Sequence, residues 1–148
     1  MWQRIQTLYL AISTILIAVM LFSSEAVVYD AEGAVADSIK FSGIVSHLIM
    51  LIVILLLNIL ALSTVRFRVF QLRTAVLAAI VTLALQAWIV YDYLSIGDTF
   101  IFRLPAVFPA ACVVLDLLAA RGIFADQLLV ESSSSLRKSR RERRSGRK

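Results

Sequence analysis

Four apolar stretches alternate with short polar or charged ones along this chain. Two of them, residues 41–63 and 74–96, are separated only by a turn at 64–73 that carries Arg66, Arg68 and Arg73 and no acid. Each is long enough to cross a bilayer, which takes about 20 apolar residues. A third run occupies 5–22, just after Arg4, and a fourth begins near Leu104. The pattern predicts helices at about 5–23, 42–63, 74–96 and 104–121, with a less apolar surface extension of the last one to 131. The expected fold is an all-α integral membrane protein: two helical hairpins giving four transmembrane helices, followed by a disordered basic C-terminal tail at 132–148.

The first run could also be read as a signal peptide, with Ser24-x-Ala26 as a small-residue cleavage site. Its apolar core is longer than the usual 7–15 residues, so a retained first helix is the expectation. Residues 25–40 contain Glu25, Asp30, Glu32 and Asp37 against Lys40 alone. They read as a solvated connector, with Val27, Val28 and Tyr29 as a short surface segment. Gly97-Asp98 reads as a tight connection. Pro105 fits the first turn of helix four, and Pro109 reads as a slight bend one turn later.

Composition agrees with a lipid solvent: 60% of the 148 residues are hydrophobic and mean hydropathy is +0.87. Soluble domains sit nearer 45–50% apolar. The net charge of +5 is local, because eight basic residues, Arg137, Lys138, Arg140, Arg141, Arg143, Arg144, Arg147 and Lys148, lie in the final twelve positions. Cytoplasmic loops of membrane proteins carry the excess of Lys and Arg. Arg4, the 66–73 turn, Arg121 and the tail then fall on one side, leaving only Lys40 and Arg103 on the other. A multi-pass protein of four helices with both termini cytoplasmic satisfies this bias at every connection.

An ionisable or amide side chain at membrane depth is a functional candidate by default. The candidates are His47 and Asn58 in helix two, Gln86 and Asp92 in helix three, and Asp116 in helix four. His47 and Asn58 are eleven apart and share a helix face. Ala75, Ala79, Thr82 and Gln86 share another, as do Pro105, Pro109, Cys112 and Asp116. At about 1.5 Å per residue, Asn58 and Asp116 lie at similar depth and Gln86 roughly 10 Å away. An Asn58–Asp116 hydrogen bond is therefore expected, with Gln86 bonded elsewhere and Arg121 turned toward the headgroups. Asp92 reads as interfacial, with a proton-responsive pairing to His47 as the alternative.

The chemistry of several enzyme classes is missing from this residue set. One histidine cannot supply paired axial haem ligands, and the single Cys112 cannot run a thiol relay; it reads as a small buried hydrophobe. No motif has the spacing of a metal site, a phosphate loop or a catalytic triad, so no catalytic, cofactor or metal residues are expected. Small multidrug exporters have the same number of helices but carry their membrane acid in helix one, where this chain has none.

Three segments carry a family resemblance: Trp2-Gln-Arg-Ile-Gln-Thr-Leu-Tyr-Leu10, the turn with Gln71-Leu72-Arg73, and Pro109 through Ile123 followed by Asp126-Gln-Leu-Leu-Val130. They resemble a family of small four-helix inner-membrane proteins of Bacteroidota known only as a domain of unknown function. Where that family tends to read Ala-Asn-Arg-Ala-Ile, this chain has Ala119-Ala-Arg-Gly-Ile123. The resemblance implies the four-helix architecture and a place in a bacterial inner membrane, and it carries no activity.

The function expected is that of a non-enzymatic membrane scaffold or accessory subunit. Its partners would be the bilayer, anionic lipid for the tail, and other membrane proteins. Nucleic acid or the ribosome is a weaker fit, since no aromatic residue interleaves the tail to stack on bases. The alternative is a small transporter or proton-linked carrier using Asp116.

Overall fold

The computed structural model describes residues 2–29, 35–65, 67–96 and 101–145; within these, the side chains of 2–4, 96, 102 and 134–145 are not described. The expectations placed on Asp30, Glu32, Arg66, Gly97, Asp98, Arg147 and Lys148, and on the side chains of Trp2, Arg4 and the basic residues from 137 to 144, fall outside that set.

The four helices are α1 (Trp2–Phe22), α2 (Val45–Ser63), α3 (Arg68–Ile96) and α4 (Phe108–Ser145). Each contains a stretch long and apolar enough to cross a membrane. They pack as a closed ring, α1 and α3 each lying between α2 and α4. Helices two and three are joined by a few residues only, with the Phe67 amide donating to Thr64 O and that of Gln71 to Phe67 O. α3 therefore begins earlier than residue 74. The connecting stretch Arg68-Val-Phe-Gln-Leu-Arg73 holds no Gly or Pro, so nothing prevents it from continuing the helix.

α4 differs more. Residues 104–107 form a 3₁₀ turn around Pro105, and Pro109 is the second residue of α4. Its missing N–H falls where a helix has no intrahelical acceptor, so Pro109 starts the helix and does not bend it. The helix then continues past 121 and through the Ser132–Ser135 run to Ser145, where separate segments ending at 121 and 131 and an unstructured tail are expected. Arg, Lys, Glu and Leu are good helix formers.

The largest departure lies at the other end of the bundle. The stretch expected as a solvated connector forms an antiparallel hairpin, β1 (Ser24–Tyr29) and β2 (Val35–Lys40). A two-residue strand, β3 (Ile101–Phe102), pairs with the opposite edge of β1, giving the order β2–β1–β3. The fold is thus four spans plus a small sheet across one end. The Arg103 amide also donates to Glu25 O at 2.9 Å, which ties the α3–α4 connection to β1.

Two apolar clusters fill the bundle. Ile17, Met20, Phe41, Leu51, Ile54, Leu85 and Ile89 pack toward the sheet end. Leu10, Ala61, Ala75, Ala119, Ala120 and Ile123 pack toward the arginine end. Small residues dominate the second cluster, as expected where helix backbones approach closely in lipid. The tightest approach is at Gly122: a Cβ there would stand 2.8 Å from Cγ of the buried Gln6 on α1.

Candidate functional site

Between the two apolar clusters lies a polar layer. On α1 the buried face runs Leu10, Ser13, Ile17, Met20; on α2 it runs Ile54, Asn58, Ala61; on α4 it runs Cys112, Asp116, Ala119. Ser13, Asn58 and Asp116 are each fully buried at the same level. The Asn58 amide donates to Ser13 Oγ at 3.5 Å, and the Cys112 thiol faces Ser13 O at 3.8 Å. Ser13 also neighbours the Asp116 carboxyl. The direct Asn58–Asp116 bond does not form: Asn58 Oδ1 and both Asp116 oxygens have no hydrogen-bond partner in aligned geometry. Equal depth leaves the rotation of each helix open, and Ser13 of α1 is the residue that Asn58 and Asp116 share.

Gln86 is bonded elsewhere, as expected. Its Oε1 accepts from the Ala110 amide at 3.0 Å. Ala110 is the third residue of α4, so this amide is one of the first-turn N–H groups that a helix leaves unpaired. The glutamine thus caps one helix from the side of another. Arg121 is exposed, as expected. Arg68 meets Asp126 at 3.2 Å near the arginine end, a partly exposed pair of the kind worth about 0–1 kcal/mol.

The second polar centre sits under the sheet. His47, in the first turn of α2, is fully buried, and its Nε2 lies 3.5 Å from Asp92 Oδ2 on α3. Its Nδ1 lies 3.3 Å from Oε2 of Glu25, which is itself only 2% exposed. Two rings hold the imidazole edgewise, Trp88 with centroids 5.9 Å apart and Phe41 at 6.5 Å. Glu25 reaches this position because β1 carries a bulge. Ser24 pairs with Lys40 and Ala26 with Ile39, so Glu25 is the extra residue. A bulge breaks the alternation of side chains, and Glu25, Ala26 and Val27 are buried in succession.

An acid–imidazole–acid row has a definite proton requirement. A neutral imidazole donates from one nitrogen only, while an imidazolium donates from both. With both nitrogens facing carboxylate oxygens, the row is satisfied by an added proton or by a cation in its place. Neither ring nitrogen, and neither Glu25 oxygen, has a hydrogen bond of aligned geometry. One donor atom from each of Glu25, His47 and Asp92 can be chosen so that all three lie within 4.8 Å of one another. The residues come from β1, α2 and α3, so no local spacing announces them, and the expectation of no metal-ligating group does not anticipate this cluster.

Sequence reasoning placed His47, Asn58, Gln86, Asp92 and Asp116 at membrane depth, and all but the partly exposed Asp92 and Gln86 are fully buried. It missed Ser13 and Glu25. The 3-4-3 spacing of Leu10, Ser13, Ile17 and Met20 was the available signal for Ser13. For Glu25 there was none short of the strand bulge.

A family model described as Domain of unknown function (DUF4293) matches residues 2–136. No curated protein and no solved structure matches the chain.

Proposed function

Since the chain belongs to the DUF4293 family, whose description assigns no activity, we propose from its own geometry that it is a non-enzymatic accessory protein of a bacterial inner membrane. Both termini would lie in the cytoplasm, and the C-terminal arm would hold an anionic surface, most simply anionic lipid of the inner leaflet. The observation that carries this reading is the continuity of α4, a 38-residue helix joining a membrane span to a strongly basic end.

The arm needs a bend to reach lipid. Ile123 is the last fully buried residue of α4, and Arg137 follows about 21 Å along a straight helix at 1.5 Å per residue. The headgroup layer is only about 5–8 Å thick, and attraction fades over a Debye length of about 8 Å. The serine run is where that bend would form on docking. The hydroxyls of Ser132 and Ser133 donate to Leu129 O and Val130 O at 2.9 and 2.8 Å, a back-bonding pattern that weakens and bends helices. Each basic residue brought to an anionic surface contributes ~1 kcal/mol, so three seated residues favour the docked arm by roughly 150-fold.

Limited trypsin digestion of the full chain in nanodiscs tests this. The arm is expected to be cut more slowly in discs containing anionic lipid than in zwitterionic ones, and about 0.5 M salt should remove the difference. Equal rates in both discs at low salt would overturn the lipid reading.

A second reading rests on Asp116, a carboxyl fully buried at mid-bundle that has Ser13 as its polar neighbour and no hydrogen bond of aligned geometry. Ionisable groups so placed mark ion or proton pathways. In proteoliposomes, a proton-linked carrier would dissipate a pH gradient faster than empty vesicles, and Asp116→Asn would abolish the excess. A wild-type rate equal to that of empty vesicles would end this reading.

A further inference from the structure

We propose that Glu25, His47 and Asp92 form a binding site for one divalent first-row transition-metal ion, of which Zn²⁺ is the simplest case. This inference is independent of the basic arm and of Asp116. It starts from the residues' burial. Two carboxylates flank one imidazole, with Glu25 and His47 removed from solvent almost completely and Asp92 22% exposed. Burying charge without compensation is costly, and a site normally lowers that cost by pairing, hydrogen bonding or coordination.

Hydrogen bonding is the weak part here. The contacts at 3.3 and 3.5 Å are close, yet both imidazole nitrogens and both Glu25 oxygens lack an aligned bond. A proton answers only part of the charge, leaving two carboxylates against one imidazolium. A dication beside a neutral imidazole balances the two carboxylates fully.

The donor chemistry selects the class of ion. One nitrogen and two carboxylates suit zinc and its neighbours, whereas Mg²⁺ and Ca²⁺ favour oxygen donors alone. The spacing fits as well. Ligands bound at about 2.0–2.2 Å around a tetrahedral ion stand roughly 3.3–3.6 Å apart, against donor atoms that already lie within 4.8 Å of one another. Asp92, the most exposed of the three, marks the side from which an ion or water enters. Because the three residues come from β1, α2 and α3, an ion there would fasten the sheet to the bundle.

The test uses the tag-free full chain in nanodiscs, stripped with a chelator, and titrated with Zn²⁺ by calorimetry. One ion per chain is expected, with a micromolar or tighter Kd that weakens as pH falls, since protons compete for the same donors. His47→Gln, Glu25→Gln and Asp92→Asn should each weaken binding at least tenfold, and Mg²⁺ in millimolar excess should not displace Zn²⁺. A second readout needs no substitution in the site. Trp88 is in edge contact with His47, so in a Trp2→Phe chain its fluorescence should be quenched by stoichiometric Co²⁺ and restored by Zn²⁺. Absence of Co²⁺ quenching in that chain, Zn²⁺ uptake below one ion per chain at about 100 μM, or undiminished binding in folded His47→Gln protein would each overturn the proposal.

Discussion

The Gly122–Gln6 contact gives the best-defined energetic prediction. Replacing Gly122 with Ala places a methyl carbon 2.8 Å from Gln6 Cγ, 3.0 Å from Nε2 and 3.3 Å from Cδ. Comfortable carbon–carbon contact is about 3.5–4.0 Å, so the first distance is short by roughly 0.7–1.2 Å. Cγ is only two bonds from the backbone, and moving it requires a new χ1 on a helix where one of the three wells is largely closed. The alternative is for α1 and α4 to separate. Overpacking of this kind costs about 1–3 kcal/mol. Against it stands the intrinsic gain of Ala over Gly in a helix, up to ~1 kcal/mol. The net expectation is a loss of about 1 kcal/mol, with the two contributions separable by a double-mutant cycle. In a Gln6→Ala background the clash is gone and only the gain remains, so Gly122→Ala should there be neutral or stabilising. The coupling between the two sites equals the overpacking cost, about 1–3 kcal/mol. Reversible unfolding by SDS in mixed micelles, followed by far-UV circular dichroism, measures all four proteins. Coupling below about 0.5 kcal/mol would refute the close approach of α1 to α4.

Gln86→Leu removes the acceptor for the Ala110 amide and should cost about 0.5–1.5 kcal/mol in the same unfolding assay; unchanged stability would show that the cap contributes nothing. Cys112 is completely buried, so N-ethylmaleimide should modify it at least tenfold more slowly in the native bundle than in SDS, and equal rates would contradict the packing of α4 on α1. Single cysteines placed at Asp37 or Phe67 in a Cys112→Ala chain should report opposite sides of the membrane. With an impermeant maleimide on intact spheroplasts, Asp37→Cys is expected to label and Phe67→Cys to label only after lysis; the reverse pattern would invert the orientation.

The four spans were legible because a bilayer demands about 20 apolar residues per crossing, a constraint that leaves its mark in composition alone. Asn58 and Asp116 were legible for the same reason, as polar groups interrupting apolar runs. Their actual arrangement was not. Depth follows from counting residues, but which side chains meet depends on how each helix is rotated, and Ser13 turned out to be their shared neighbour. Serine gives a weak signal in a helix, because its hydroxyl can bond its own backbone. Pro109 was misplaced by one turn, since the 3₁₀ segment at 104–107 delays the start of α4. The sheet was the hardest to foresee. Its central strand carries Glu25 beside an acidic stretch, and its third strand is only two residues long and lies some seventy positions further on. The burial of Glu25 rests on that long-range pairing and on a one-residue bulge, neither of which has a local pattern.

The sheet also has a mechanical consequence. β1 belongs to the connection between α1 and α2, whereas β3 and the Arg103 amide belong to that between α3 and α4. The two helical hairpins are therefore laced together at this end by backbone bonds, which must break as a group before the hairpins can splay. At the opposite end the hairpins are joined by the short α2–α3 turn, while α1 meets α4 there through side-chain packing around Leu10, Ala119, Ala120 and Ile123 and the Gly122–Gln6 contact. Any breathing of the bundle should pivot about the strands and open between α1 and α4 on the arginine side, where a small solute or a neighbouring helix could wedge in without unravelling the sheet.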